Sequence, residues 1–175
     1  MSNHTALPPD VQSQTLGVVF FDLSRFAEWS SPNEDAHIAS FLQRLYGLAA
    51  ERIEANGGRI VKFMGDAGLA VFPEESAEDT IFAICAFAQE ARECARKFGL
   101  DTYVNVNIHV GPVLAGSFGP PGAERFDVIG KTVNIAARLG RRGITLSPQA
   151  FRCLSPEGRK RFEKVTRPIT YQFRF

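Results

Sequence analysis

Residues 16–21 (LGVVFF) form an almost unbroken apolar run, short and β-rich, which predicts a buried strand ended by Asp22. The period then changes. Ile38, Phe41, Leu42, Leu45, Leu48, Ala49 and Ile53 recur at helical spacing, predicting a helix over 35–55. Ser31-Pro32-Asn33 offers its start and Asn56-Gly57-Gly58 its stop. Residues 59–64 and 69–72 read as strands around Gly65-Asp66-Ala67-Gly68, a hairpin signal. A second helix is predicted over 77–98, with Ile81, Ile84, Cys85, Ala88 and Cys94 along one face and Gly99 closing it. Strands at 103–110 and 126–129 flank the rigid turn Gly119-Pro120-Pro121-Gly122, and a short helix covers 132–139. The tail predicts a strand at 144–146, a small helix after Ser147-Pro148 and a hairpin within 162–175.

The order β-α-β-β-α-β-β-α-β, followed by a small α/β tail, predicts an α+β sandwich of the ferredoxin-like type. One domain over 15–175 is expected, preceded by a flexible arm over 1–14 that carries Pro8-Pro9. The chain shows no internal repeat and no low-complexity segment.

Composition narrows the class. At 175 residues, 45% hydrophobic and 22% charged, the chain can bury a core without staples. That excludes a disordered tail, a collagen-like fibre and a disulfide miniprotein. No apolar run approaches the roughly 20 residues of a membrane span. The N-terminus has neither the basic nor the apolar region of a secretory signal. Cys85, Cys94 and Cys153 are odd in number and lack CxxC spacing, so reduced thiols and a cytoplasmic location are expected. The formal net charge of +1 hides an asymmetry: residues 138–175 carry ten Lys/Arg against two Glu, and residues 1–137 a formal −7. The basic quarter suits a polyphosphate substrate, an acidic partner surface or simply a solvated face. Nucleic acid is not expected, since no helix-turn-helix, zinc-finger or RNP pattern is present.

Several polar residues break their local pattern. Asp22 follows an apolar strand and Asp66 sits at a hairpin tip. Two carboxylates brought together there would bind a hard divalent cation; singly, each serves as a turn-former or cap. Asn134 and Arg138 lie one helical turn apart, a natural reader of anion and sugar, or else surface residues. Lys62 lies inside an apolar strand, where it needs a partner or guards an edge, and Asp127 stands in another strand just before Gly130. His4, His37 and His109 have no catalytic context. No GxSxG, HExxH or Walker motif is present.

Three segments together resemble the class III nucleotide cyclase catalytic domain, the adenylate/guanylate cyclase family. They are VVFFDLSRFAEWS (18–30), GGRIVKFMGDAGLAVF (57–72) and VNIHVGPVLAGSFG…RFDVIGKTVNIAARL (106–139). The resemblance implies conversion of ATP to 3′,5′-cyclic AMP and pyrophosphate. Asp22 and Asp66, with the Leu23 carbonyl, would hold two Mg²⁺ or Mn²⁺ ions. Lys62 and Asp127 would read the adenine edge, Asn134 the ribose, and Arg138 would stabilise charge on the α-phosphoryl group. Phe26 and Lys164 would contact substrate, with Arg167 a second candidate for the late phosphate-binding cation. Sites shared across a homodimer follow from the same resemblance.

The sequence also departs from the family pattern. Arg25 stands where the family usually has Gly, Ala27 where it has Thr, Asn107 where it has Gly, and Lys131 where it has Asp or Asn. A cyclase for GTP or a pyrimidine nucleotide is the near alternative, and a catalytically silent nucleotide-binding homologue the distant one. The glycine-glycine-acidic loop of cyclic-dinucleotide synthases is absent. A regulatory domain or partner outside this chain is expected, because residues 1–14 are too short for a sensor.

Overall fold

Strand β1 (Gln12–Leu23) carries the apolar run but begins four residues before it. The side chains of Gln12 to Thr15 are exposed, so burial does not mark them. Their backbones pair with β4 (Val104–Phe118), from Gln12 opposite Ala115 to Thr15 opposite Pro112. Ladder pairing thus extends the strand into the segment expected to be an arm. A computed structural model describes residues 7, 8, 10–140 and 142–174; residues 1–6 and 9 of that arm, and Phe175, lie outside it.

Strand β4 likewise outruns the expected end at 110, despite Gly111-Pro112. Pro112 falls between two pairings on one side of the strand, with β6 (Ile144–Leu146) before it and β5 (Arg125–Ile129) after it. Its missing N–H therefore breaks neither ladder, and its carbonyl accepts a hydrogen bond from Thr132 Oγ1 at 2.6 Å.

Strands β2 (Arg59–Met64), β3 (Ala67–Pro73), β1 and β4 lie side by side in that order, each antiparallel to the next. Helix α2 (Asp35–Glu54) joins β1 to β2 and α3 (Ala77–Lys97) joins β3 to β4. This is the ferredoxin-like arrangement expected. The sheet continues through β6, parallel to β4, to β8 (Ile169–Phe173) and β7 (Phe162–Thr166), eight strands in all. Two short helices, α5 (Pro148–Arg152) and α6 (Pro156–Arg159), stand where one was expected. Each has Pro in its first turn and a Ser cap, Ser147 and Ser155, whose oxygen accepts a backbone N–H.

The two faces of the sheet are unequal. On one, α2 buries Phe41, Leu45, Ala49 and Ile53 against Phe21, Phe72 and Ile108. There α3 contributes many small residues, among them Ala88, Ala91 and Ala95, which let it lie close. The other face holds a smaller cluster of Leu16, Val18, Leu69, Val71, Val113 and Val128. From above, helix α4 (Lys131–Ala137) adds Ala136, buried, and Val133, partly buried.

Helix α1 (Phe26–Ser30) gives no periodic signal at five residues. Its aromatics hold it: Phe26 lies 5.6 Å from Trp29 and 6.3 Å from Phe41 between ring centroids. Two glycines fix how β1 meets β3. A Cβ at Gly17 would lie 2.1 Å from the ring of its partner Phe72, and one at Gly68 would lie 2.2 Å from the ring of its partner Phe21. Cys85, Cys94 and Cys153 are all free, as expected, and burial pushes the Cys85 thiol up to about 12.

Candidate active site

The β1–β3 register decides where the first two acids go. Phe21 pairs with Gly68, so Asp22, one residue on, stands at the mouth of the β2–β3 turn that carries Asp66. Gly65 makes that turn with φ +64°. Tyr46 anchors it, donating its hydroxyl to the Gly65 carbonyl at 2.7 Å and stacking on Phe63 with centroids 4.0 Å apart. The Leu23 N–H donates to Asp66 Oδ2 at 3.3 Å. Burial pushes the carboxyls of Asp22 and Asp66 above their ordinary range. At Asp66 the backbone amides of Asp66 and Leu23 oppose that push, and the Asp22 charge adds to it. At Asp22 the side chain of Asn105, directly opposite in the β1–β4 ladder, opposes it.

Asp22 and Asp66 are thus two neighbouring carboxylates, and among the described residues neither has an ion-pair partner. All the donors are oxygen. Among the described residues, no cluster of three or more His, Cys, Asp or Glu could cage a metal by itself. The donor set suits a hard divalent ion that keeps waters and takes its remaining ligands from substrate phosphates. Beside Asp22 a cavity of about 480 Å³ is lined by Asn105, Asn107, Ala67, Ala137 and Gly140. Asn107 donates from Nδ2 to the Gly140 carbonyl at 3.1 Å, and Asn105 Oδ1 is buried without a partner.

Lys62 and Asp127 also meet. Strand β5 leaves the sheet path and reaches over to β2, where Lys62 Nζ donates to Asp127 Oδ2 at 2.5 Å. Both side chains are partly exposed, 44% and 30%. Next to them Arg59 lies over the Phe126 ring, 3.6 Å from its centroid. The lysine inside an apolar strand therefore has a partner.

Asn134 and Arg138 are both exposed and share a cavity of about 470 Å³ with Pro168 of the β7–β8 turn and Ile169 and Thr170 at the start of β8. Arg138 caps α4 instead of lying inside it, because the helix ends at Ala137. Neither side chain lines the cavity beside Asp22. Within one chain, then, Asp22 and the Asn134–Arg138 pair line different cavities, and Ala137 and Gly140, on either side of Arg138, line the one beside Asp22. Lys164 stands exposed on β7, opposite Tyr171, and Arg167 begins the adjoining turn. The ring of Phe26 packs into the aromatic nest of α1, so what it offers a ligand is backbone.

Arg25 has φ +66°, the left-handed conformation that glycine adopts without cost. Its side chain is held by Glu28 at 3.2 Å and Asp101 at 4.0 Å. Buried His109 bonds Ser147 Oγ through Nδ1 at 2.9 Å, and burial keeps its pKa low, so it braces β4 against the cap of α5. Asn105 and Tyr46 escape sequence reasoning. Strand register and a ring stacked across elements place them, and neither leaves a mark in spacing.

A sequence profile described as the adenylate and guanylate cyclase catalytic domain matches residues 9–171. The germination-specific adenylate cyclase of Dictyostelium discoideum is 29% identical over 140 residues, spanning 76% of this chain and 16% of that protein. The chain spans less than a quarter of the first curated relatives it matches. Among solved structures, a bacterial light-regulated adenylyl cyclase superposes with a TM-score of 0.82 at 18% identity, over 94% of this chain and 52% of that one. A guanylyl cyclase superposes with a TM-score of 0.81 at 18% identity, over 94% and 93% of the two chains. At such identities these likenesses concern the fold. No helix among the described residues is long and apolar enough to cross a membrane.

Proposed function

The chain belongs to the adenylate and guanylate cyclase catalytic domain family, and we propose that it converts ATP to 3′,5′-cyclic AMP and pyrophosphate as a homodimer with shared sites. The observation that carries the choice of ATP is the Lys62–Asp127 pair. Lys62 donates and Asp127 accepts, which complements adenine N1 and the 6-amino group. Guanine presents the reverse pattern at those positions.

Asp22 and Asp66, with the Leu23 carbonyl, would hold two Mg²⁺ or Mn²⁺ ions. Such ions would supply neutralisation of the triphosphate and a lowered pKa for the ribose 3′-hydroxyl. The chain supplies the rest. Asn134 orients the ribose, and Arg138 stabilises charge developing on the α-phosphoryl group. Lys164 or Arg167 meets the outer phosphates, and the Phe26 backbone N–H meets phosphate beside Asp22. Sharing between two copies is supported by the cavity that Asn134 and Arg138 line, which none of Asp22, Asp66, Lys62 and Asp127 lines. It is also supported by Met64, Ile129 and Ile135, which are 45–49% exposed on the elements that carry the site.

The test incubates the purified chain with each of the four nucleoside triphosphates and Mn²⁺ and identifies the products by mass. Cyclic AMP from ATP alone is expected. Cyclic GMP or a cyclic pyrimidine nucleotide as main product overturns the choice of base, and no cyclic product overturns the activity.

A further inference from the structure

On the far side of the sheet from α4, a cavity of about 680 Å³ opens between α3, the start of β4 and the segment that leads into β6. Its charge is unusual. Arg92 and Arg96 stand one turn apart on α3, and Arg142 enters from a different segment. Among the described residues, no ion pair or side-chain hydrogen bond holds the guanidinium of any of the three. Like charges four apart on a helix repel one another. The helix dipole favours a cation in the last turn, which accounts for Arg96 and for neither Arg92 nor Arg142. Glu93 is the one acid in the lining, so the cavity carries two positive charges in excess.

The rest of the wall is apolar. Ala88 and Val104, 4% and 2% exposed, lie beneath it, and Tyr103 stands at its side with 39% of its surface open. Tyr103 is held from behind. Its N–H donates to Ser24 Oγ at 3.2 Å, and its carbonyl accepts from the Ser24 N–H at 3.1 Å. The ring is therefore presented on a fixed backbone. The volume falls within the range of small-molecule sites.

We propose that this cavity binds a small organic dianion with a flat ring. A phosphate or paired carboxylates would sit among the three guanidiniums, which present forked donors to such groups. The ring would lie against Tyr103 above the apolar floor. None of Asp22, Asp66, Lys62, Asp127, Asn134 and Arg138 lines the cavity, so the site is separate from the proposed catalytic one.

The test titrates 1-naphthyl phosphate into the full chain and follows the anisotropy of naphthyl fluorescence, with 1-naphthol and inorganic phosphate as half-probes. One saturable site per chain is expected, with each half-probe binding at least about 10-fold more weakly. Arg92→Glu combined with Arg96→Glu should weaken 1-naphthyl phosphate at least about 10-fold, and so should Arg142→Glu alone. Asp22→Asn and Arg138→Ala should leave binding unchanged. Arg142 lies on its own segment, so its variant carries the test if the helix variant fails to fold. Absence of saturable binding to about 1 mM overturns the proposal. So does binding indifferent to the arginine variants, or binding lost with Arg138→Ala, which would put the probe in the catalytic site.

Discussion

The two acidic places on this sheet are electrostatic opposites. At Asp22 and Asp66, carboxylates are drawn together by strand register, and among the described residues neither has an ion-pair partner. At Asp127 the carboxylate already has its cation, Lys62, at 2.5 Å. On the proposed function, the first place would gain a charge on binding, and the second would exchange an internal partner for the edge of a base. The two would thus differ in whether the counter-charge belongs to the protein.

The largest effect expected from that contrast is at the first place. Asp22→Asn or Asp66→Asn should lower turnover at least about 100-fold, by removing an anionic ligand from the proposed metal site, with melting temperature unchanged or raised. Cyclase assays beside thermal melts check it, and near-normal activity in either variant would break the assignment.

Mixing sharpens the comparison next. Asp22→Ala and Arg138→Ala should each be nearly inactive. An equimolar mixture that exchanges subunits should recover roughly one quarter of wild-type activity per total protein, because half the dimers carry one intact site of two. An exchanging mixture that stays dead excludes sharing.

At the second place, Lys62→Glu with Asp127→Cys should reduce ATP use by roughly 10-fold, as loss of two base contacts implies. Rates with ATP and GTP measured side by side check this. Retained preference for ATP would mean that the pair does not read the base.

A smaller effect concerns pH. Burial raises the folded-state pKa of Asp66 above the ordinary 3.8, so the folded chain binds a proton more readily than the unfolded one. As pH rises from 3.8 through the raised folded value, the metal-free chain should lose stability relative to Asp66→Asn. Melting temperatures across that window read the difference, and parallel curves for the two proteins would refute it. The smallest effect is Lys62→Ala on folding, about 1 kcal/mol or less by denaturant melts, because the ion pair is partly exposed.

Much of this site is legible in the sequence because its residues interrupt their surroundings. Asp22 closes an apolar run, Lys62 sits within a strand, and Arg138 lies one helical turn from Asn134. The pairing of Lys62 with Asp127 is not legible from spacing, since they lie 65 residues apart and meet only because β5 folds over β2. Asn105 is hidden for a similar reason, being placed by the β1–β4 register alone. In the fold, α2 and α3 announce themselves by their buried faces. The polar start of β1 does not, because backbone pairing holds it more than burial does, and the far half of β4 is hidden behind Gly111-Pro112. Helix α1 is invisible at five residues, and the left-handed residue that leads into it is an arginine.

The two glycine–phenylalanine pairs between β1 and β3 act on the molecule as locating dowels act on a machined joint. A strand can slide only in whole residues, each about 3.4 Å. Any slide would drive a ring into a side chain at both ends of the ladder at once. The distance from Asp22 to Asp66 therefore inherits its tolerance from positions four residues apart on β1, Gly17 and Phe21, that bear no charge. Replacing Gly17 would misalign the cleft from within the core, a fault that inspection of the cleft's own residues would never reveal.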